Sequence, residues 1–346
     1  MRNCTRWLAA WLLFPLVSRA QSGLAAEQDF LIEVRGEVAV KREGWGQYLP
    51  ANAPVAVGAN DSIRVEVDAG ASLICANLSI RRLVAGGTRG NPCGRKSRGT
   101  LYLRKAEALP GVYGEPDGPQ VLSPRYTTVR PGRIQIRWRP VPKAVRYTVE
   151  IVALGWKATA LETSLDYELP KTAGPGPYAI TVTAVLPGDV RIKSQDQPRS
   201  GFRVLTAAEL KDLAAREKSI GALSLQDTTR QFLHALLLAE FGLRHEAIPL
   251  LERLDQANPS PAVRRFLGLL HREQSLLTEA EAWYVKSASL AKAKGDIEGE
   301  VIAARQLSEI YKTLGRAPEA TRQRELADRL AKTVGASAES IGNLRP

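Results

Sequence analysis

The chain has 346 residues, of which 44% are hydrophobic and 24% are charged, and its formal net charge is +12. This composition is that of an ordinary folded, water-soluble protein, and it has no signature of disorder. The length allows two or three compact domains, and the positive charge favours acidic partners.

The first twenty residues have the three parts of a secretory signal peptide. Arg2 and Arg6 accompany an apolar run from Trp7 to Val17, and Ala20 suits the position before a cleavage site. The run is shorter than the roughly 20 residues that cross a bilayer. We therefore expect residues 1–20 to be removed near Ala20 and the rest of the chain to be periplasmic or secreted. Retention of this segment as a membrane anchor is the alternative.

Two cysteines remain beyond the signal peptide, Cys75 and Cys93. An even number of cysteines in an exported chain favours one disulfide. The alternative is half of a metal site, but no CxxC pair occurs, and His234, His245 and His271 lie far along the chain. We expect the disulfide, no metal and no other cofactor.

Residues 30–105 have the pattern of short strands, because apolar and polar residues alternate around Ile32, Val34, Val38 and Val40. Trp45 follows, and then a turn that runs from Gly58 to Asp61. This order resembles the small β domain of FecR-type proteins, in which a GxVxVxR-like strand, a tryptophan and a glycine–aspartate turn recur. Two further residues separate the glycine from the aspartate here. The resemblance implies a periplasmic sensing or binding module.

A basic run lies within this segment, because no acidic residue occurs between Asp68 and Glu107. The basic residues of that interval are Arg81, Arg82, Arg89, Arg95, Lys96, Arg98, Arg104 and Lys105. Such a run favours a docking surface for an anionic polysaccharide or for lipid headgroups. The alternative is a solvated loop, and we expect no nucleic-acid partner.

Proline and glycine are frequent over residues 106–124, which we interpret as a linker. Strands are expected over residues 125–205, near Tyr126, Ile134, Val149, Ala158, Leu165, Ile180 and Phe202. The Ile-x-Ile-x-Trp strand that ends at Trp138, the Pro-Val-Pro-x-Ala-x-x-Tyr turn to Tyr147, and the later Tyr178 resemble a fibronectin type III domain. The resemblance implies a β-sandwich in which these three aromatic residues belong to the core.

The last third of the chain has helical spacing. A capping box of Thr206 and Glu209 predicts a connecting helix over 206–221. Three helix pairs are then expected over 227–335, and a flexible tail over 336–346. Glycines at the expected helix ends predict left-handed C-caps at Gly242, Gly295 and Gly315. A second capping box is predicted from Thr278 to Glu281, with Ser260 as a further N-cap.

The three pairs share a spacing of small and large residues. Small residues at Ala235, Gly268 and Ser308 stand twelve positions before Ala247, Ala280 and Ala320, which are followed four positions later by Leu251, Tyr284 and Arg324. This pattern resembles the tetratricopeptide repeat (TPR), although the arginine departs from it and predicts a polar end to the array. The resemblance implies a curved α-solenoid whose groove binds a protein or a peptide.

The expected fold class is multidomain, β then α: a small FecR-like β domain, an immunoglobulin/fibronectin III-like sandwich and a C-terminal TPR-like solenoid. No HExxH, GxSxG, Walker or Rossmann motif occurs, so we expect no enzyme, although a hydrolase with carboxylates distant in sequence stays as an alternative. We predict an exported adaptor that binds a cell-envelope protein. The candidate groove residues are Arg230, His234, Arg264, Arg265, His271, Arg305 and Glu309.

Overall fold

A computed structural model of the protein describes residues 26–27, 29–93, 102–103, 118–194 and 200–336. The predicted signal peptide, most of the predicted linker and nearly all of the predicted tail lie outside these residues. Within the described residues, strands come first and helices follow from residue 207 onward. No described helix is both long and apolar enough to cross a membrane.

The described residues before 104 form ten strands. They are β1 (Ala26–Glu27), β2 (Asp29–Arg35), β3 (Val38–Lys41), β4 (Leu49–Pro50), β5 (Val55–Val57), β6 (Ser62–Val65), β7 (Gly70–Ile74), β8 (Ile80–Val84), β9 (Gly87–Gly90) and β10 (Tyr102–Leu103). Two antiparallel four-stranded sheets, β5-β2-β7-β8 and β4-β3-β6-β9, make up a body that we call the β unit, residues 29–93. A separate pair joins β1 to β10.

Strand β2 is covered on both of its faces. Leu31 points between the two sheets, where it packs with Leu73 and other residues of the β-unit core. Phe30 and Ile32 point to the opposite face of the sheet and belong to a cluster that also contains helical residues. Three consecutive apolar residues therefore mark a strand between two layers, rather than a strand with one solvated face.

The disulfide between Cys75 and Cys93 is present, with 5.4 Å between the Cα atoms. Asp29 joins the same region, because its Oδ1 accepts a hydrogen bond of 2.8 Å from the Ala76 amide. Its Oδ2 accepts a bond of 2.7 Å from Asn91 Nδ2. The disulfide thus fixes the turn between β7 and β8 to the segment that follows β9.

The described residues 118–204 form the sandwich. Its strands are β11 (Val121–Ser123), β12 (Thr127–Val129), β13 (Arg133–Trp138), β14 (Arg146–Ile151), β15 (Trp156–Ala160), β16 (Ser164–Glu168), β17 (Pro177–Ala179), β18 (Thr181–Val185), β19 (Arg191–Lys193) and β20 (Gly201–Val204). The sheet orders are β11-β13-β16, β15-β14-β18-β19 and β12-β20-β17, and β12 runs parallel to β20. More strands occur than the expected seven because several long strands are interrupted, for example β17 and β18 at Ile180.

The three predicted core aromatics lie inside the sandwich. Trp138 is 2% exposed, and its ring meets that of Tyr147 edge-on with 5.4 Å between the centroids. Tyr178 is buried, and its hydroxyl donates a hydrogen bond of 3.0 Å to the carbonyl of Gly174. These side chains therefore belong to the core of the sandwich.

Seven helices follow within the described residues. They are α1 (Ala207–Gly221), α2 (Asp227–Glu240), α3 (Arg244–Ala257), α4 (Pro261–Glu273), α5 (Leu277–Ala293), α6 (Ile297–Thr313) and α7 (Ala317–Thr333). The connecting helix α1 begins with the predicted capping box, in which Thr206 accepts a hydrogen bond from the Glu209 amide and Glu209 accepts one from the Thr206 amide. We call α2 to α7, residues 227–335, the helical array.

The helix ends are partly as predicted. Gly242, Gly295 and Gly315 all have a left-handed φ, between 66° and 76°. The prediction of a capping box at Thr278 is wrong, because α5 begins at Leu277 and no side chain caps it. Leu277, the first residue of α5, is buried and packs into the array. Tertiary packing rather than a polar cap therefore sets the start of α5.

Small residues bring the two helices of each pair together. Ala235, Ala247 and Ala280 are fully buried, and Gly268 lies against the ring of Tyr284. Arg324 of the last helix is exposed. The array therefore ends in a polar outer helix, as its sequence predicts.

Candidate functional site: the inner face of the helical array

The first helices of the three pairs form a surface that carries the β unit. The ring of Phe30 meets that of Phe232 edge-on at 5.9 Å, and Phe232 meets Phe266 at 6.4 Å. Leu236 and Ile302 line the same contact. We call this surface the inner face, and its residues are Phe232, Leu236, Arg265, Phe266, Asp296, Glu298 and Ile302.

Arg42 is the polar link between the β unit and the inner face. Its Nε donates to both carboxylate oxygens of Glu298, at 2.9 and 3.0 Å. Its Nη1 donates to Asp61 at 2.6 Å and to the carbonyl of Ala56 at 2.5 Å. Burial acts to lower the pKa of the guanidinium, but the two carboxylates raise that pKa overall. Arg42 therefore stays charged, and its charge is neutralised from both sides of the contact.

Further contacts extend from one end of the array to the other. Before α2, the amide of Gln226 donates to Glu33 at 2.7 Å. After α7, the carbonyl of Val334 accepts a bond of 3.1 Å from the Gly46 amide, and Val334 packs against the buried Trp45. The β unit thus spans the array from its first helix to its last. The structure corrects the expectation of an open groove, because the chain itself covers the inner face.

A cavity of about 40 Å³ separates the β unit from the inner face. Arg265 lines it and is 9% exposed, and neither its Nε nor its Nη1 has a hydrogen-bond partner among the described residues. The nearest carboxylate is that of Asp296, 3.6 Å from Nη1. A volume of this size is large enough for a water molecule. The contact between the β unit and the inner face is therefore mainly apolar, but it contains a small cavity and an arginine with two nitrogens that lack hydrogen bonds among the described residues.

The seven candidate groove residues do not come together on one open surface. Arg265 alone lies beneath the β unit, and His271 is buried inside the array. Four others pair with carboxylates inside or beside the array: Arg230 with Asp227, His234 with Glu217, Arg264 with Asp255 and Arg305 with Asp328. Glu309 is exposed on α6.

The basic run is only partly within the described residues. Arg81 and Arg82 are exposed on β8, which is an edge strand of its sheet. Arg89 is half-buried on β9, and its Nη2 donates to the carbonyl of Val84 at 3.1 Å. The other members, Arg95, Lys96, Arg98, Arg104 and Lys105, lie outside the described residues.

Sequence reasoning missed the residues that fix the sandwich on the array. Arg125 is 1% exposed, and its Nε donates to the carbonyl of Gln274 at 2.6 Å. The Gln274 side chain donates back to the carbonyl of Arg125 at 2.8 Å. The amide of Thr128 donates to the carbonyl of Gly242 at 2.8 Å. A lone arginine between a proline and a tyrosine carries no sequence signal for such a contact.

A charged cluster surrounds Arg130 at the same junction. Its Nη2 lies 2.7 Å from Glu217, and its Nε lies 3.0 Å from Glu246. Burial raises the pKa of Glu246 despite the nearby arginine. Burial also acts to raise the pKa of Glu217, but hydrogen bonds from Arg130 and His234 lower it overall. The cluster joins the sandwich to α1, α2 and α3 and has the character of a structural network.

Two of the three histidines are withdrawn from solvent. Burial lowers the pKa of His245 to about 4, and Arg130 acts in the same direction. Burial likewise lowers the pKa of His271 to about 4, where Glu279 opposes the effect and Arg137 adds to it. Both imidazoles are therefore neutral at pH 7 and are enclosed by protein.

No protein-family model matches the sequence, and no curated protein matches it either. Several solved structures have local similarity. MamA AMB-1 is 23% identical over 40% of this chain and 72% of its own, with a TM-score of 0.30. A putative kinesin light chain from Podospora anserina with TPR-like repeats is 17% identical over 36% of this chain and 70% of its own, with a TM-score of 0.29. A beta-1,2-glucanase from Parabacteroides distasonis is 12% identical over 90% of this chain and 49% of its own, with a TM-score of 0.20.

Proposed function

We propose that the protein is an exported, non-enzymatic scaffold that binds a protein or peptide of the cell envelope through its helical array. One observation carries the proposal: the inner face already binds a folded protein surface, that of the β unit. Phe232 and Phe266 receive an aromatic side chain there, and Glu298 receives a guanidinium. Stacked helix pairs commonly offer such concave binding surfaces.

The two β bodies are proposed to be a FecR-like binding module and a fibronectin type III-like spacer. For the sandwich, support comes from the orders β11-β13-β16 and β15-β14-β18-β19, which divide the strands as the two sheets of an immunoglobulin-like domain do. The hydrogen bond from Tyr178 to Gly174 is the corner contact of such domains. For the β unit, support comes from its two packed four-stranded sheets.

The proposed partner site outside the β-unit contact lies on the C-terminal half of α6. Glu309 and Lys312 are exposed there, and Arg305 is half-buried beside them. A photo-crosslinking amino acid at position 309 tests the proposal in whole cells, with Glu325, exposed on the outer helix α7, as the control position. An adduct with an envelope protein at 309 and none at 325 is expected. Equal labelling at both positions, or none at either, would contradict the proposal.

A second candidate function is binding to an anionic envelope polymer or lipid surface through the basic run. The observation that favours it is that Arg81 and Arg82 are exposed and pair with no carboxylate among the described residues. Retention on a sulfated polysaccharide resin should fall steeply as salt rises, because screening weakens exposed charges. Glutamate at positions 81 and 82 should abolish retention, whereas the same change at the exposed Arg322 and Arg324 should not. Equal elution of both variants would exclude this function.

A further inference from the structure

We infer that the β unit is a displaceable occupant of the inner face. We further infer that the partner segment which replaces it presents an aromatic side chain to Phe232 and Phe266 and a guanidinium to Glu298. This inference rests on the proposed function and adds the regulation of its site and the chemistry of its partner.

The β unit has a core of its own. Leu31, Ile63 and Leu73 are fully buried between its two sheets, in a cluster separate from the array. Phe30 and Ile32 lie on the opposite face of β2 and belong, with Ile74 of β7, to the cluster that the β unit shares with the array. The β unit can therefore leave the inner face without losing its own core.

Separation of the β unit from the inner face leaves neither Arg42 nor Glu298 buried without a partner. Arg42 keeps its bond of 2.6 Å to Asp61 and its bond to the Ala56 carbonyl, because both partners belong to the β unit. Glu298 lies in the first turn of α6, where the helix dipole and water stabilise a free carboxylate. Forming the buried pair costs desolvation of both groups, so its net contribution to docking is small.

The fit between the β unit and the inner face is imperfect. The cavity at the centre of the contact, and the two nitrogens of Arg265 without hydrogen bonds, leave favourable interactions unmade. A contact with such a gap is held less tightly than a fully packed contact of the same area, because the atoms that line the gap lack partners on one side.

The chemistry of the inner face defines what replaces the β unit. When uncovered, it presents aromatic and aliphatic side chains next to the carboxylates of Asp296 and Glu298, against the single cation of Arg265. This surface favours a segment that carries an aromatic and a basic residue. Such a partner competes with a tethered occupant, whose effective concentration is high.

Hydroxyl-radical footprinting of the full chain tests displacement. Glu298→Lys should open the contact, and Glu300→Lys makes the same charge change in the same helical turn as a control. In E298K, oxidation of Phe30, Phe232 and Phe266 should rise at least threefold, with that of Leu31 and Leu73 unchanged. Equal protection in both variants would overturn the inference, as would a parallel rise at Leu31 and Leu73, which would mean unfolding rather than displacement.

A labelled peptide that copies residues 29–42 tests the chemistry. The Phe30→Ala substitution weakens the contact between the β unit and the inner face. The peptide should therefore bind the full-length Phe30→Ala variant at least tenfold more tightly than it binds the wild type. Adding Glu298→Lys to that variant should abolish the gain. If either substitution leaves the affinity of the peptide unchanged, the partner assignment is wrong. Because footprinting needs no partner, absence of crosslinking at Glu309 would reject the proposed function without affecting the displacement result.

Discussion

The ring of Tyr284 lies directly against the backbone of Gly268, so a Cβ atom at position 268 would be only 2.8 Å from the ring. Tyr284 itself is fully buried. The close approach of α4 and α5 therefore depends on a residue without a side chain on one helix and on a large aromatic on the other. This pair is one of the helix contacts that the small-and-large spacing of the sequence predicts.

Replacing Gly268 with alanine should destabilise the array. The added methyl group overpacks the contact, at a cost of about 1–3 kcal/mol. Better helix propensity offsets about 1 kcal/mol of that cost. Denaturant unfolding should show a net loss for Gly268→Ala and none for Gly221→Ala, since a Cβ at Gly221 meets no atom within 4 Å. Equal midpoints for the two variants would refute the packing argument.

Tyr284→Phe should leave the free energy of unfolding unchanged or raise it by about 1 kcal/mol. The buried hydroxyl has no hydrogen-bond partner among the described residues, and removing such a group relieves an uncompensated desolvation cost. Burial also raises the pKa of this phenol far above its ordinary value, so no ionised form complicates the comparison. A clear loss of stability would show that the hydroxyl has a partner, such as a bound water.

The disulfide should contribute about 3 kcal/mol to the stability of the β unit, because it closes a loop between residues 18 positions apart. Thermal unfolding of the Cys75→Ser/Cys93→Ser variant should therefore occur at a lower temperature than that of the oxidised protein. A reducing agent should move the wild type to the same temperature and should not affect the variant. If the variant unfolds at the same temperature as the oxidised wild type, the disulfide does not have this role.

Mild acid should destabilise the protein through its buried histidines. The pKa of His271 is about 4 in the folded chain, against 6.5 ordinarily, so the unfolded chain takes up the proton first. The stabilisation is complete above pH 6.5, decreases as the pH falls towards 4, and amounts to a loss of about 2 kcal/mol at pH 5.

Denaturant unfolding of His271→Gln at pH 7 and pH 5 measures that contribution. This variant should lose less stability between the two values than the wild type does. His234→Gln provides the matched control, because His234 is half-exposed and bonded to Glu217. An unchanged pH dependence in His271→Gln would show that other groups cause the acid sensitivity.

The sequence was sufficient for contacts between residues close along the chain. The spacing of Ala235, Ala247 and Gly268 predicts the helix pairs, and Thr206 with Glu209 predicts the start of α1, because helical periodicity and capping are local. The exposed Arg324 predicts the polar end of the array for the same reason.

Contacts of the β unit and the sandwich with the helical array were not predictable in the same way. Arg42 and Glu298 are 256 positions apart, and neither has a neighbour that distinguishes it from a solvated charge. Arg125 has no local signal for its complete burial. One signal was available: the consecutive apolar residues Phe30, Leu31 and Ile32 indicate a strand covered on both faces, and the outer cover is the inner face of the array.

The contacts at Gln226 and Val334 join the β unit to both ends of the helical array. At the C-terminal end of the array, Gly46 donates a hydrogen bond to the carbonyl of Val334, and Gln47 donates one to the carbonyl of Thr333. We expect a tensile load along the array to act first on these two bonds. Only after those bonds break do the helix pairs begin to spread. We therefore expect the array with the β unit docked to resist extension more strongly than the same three helix pairs would alone.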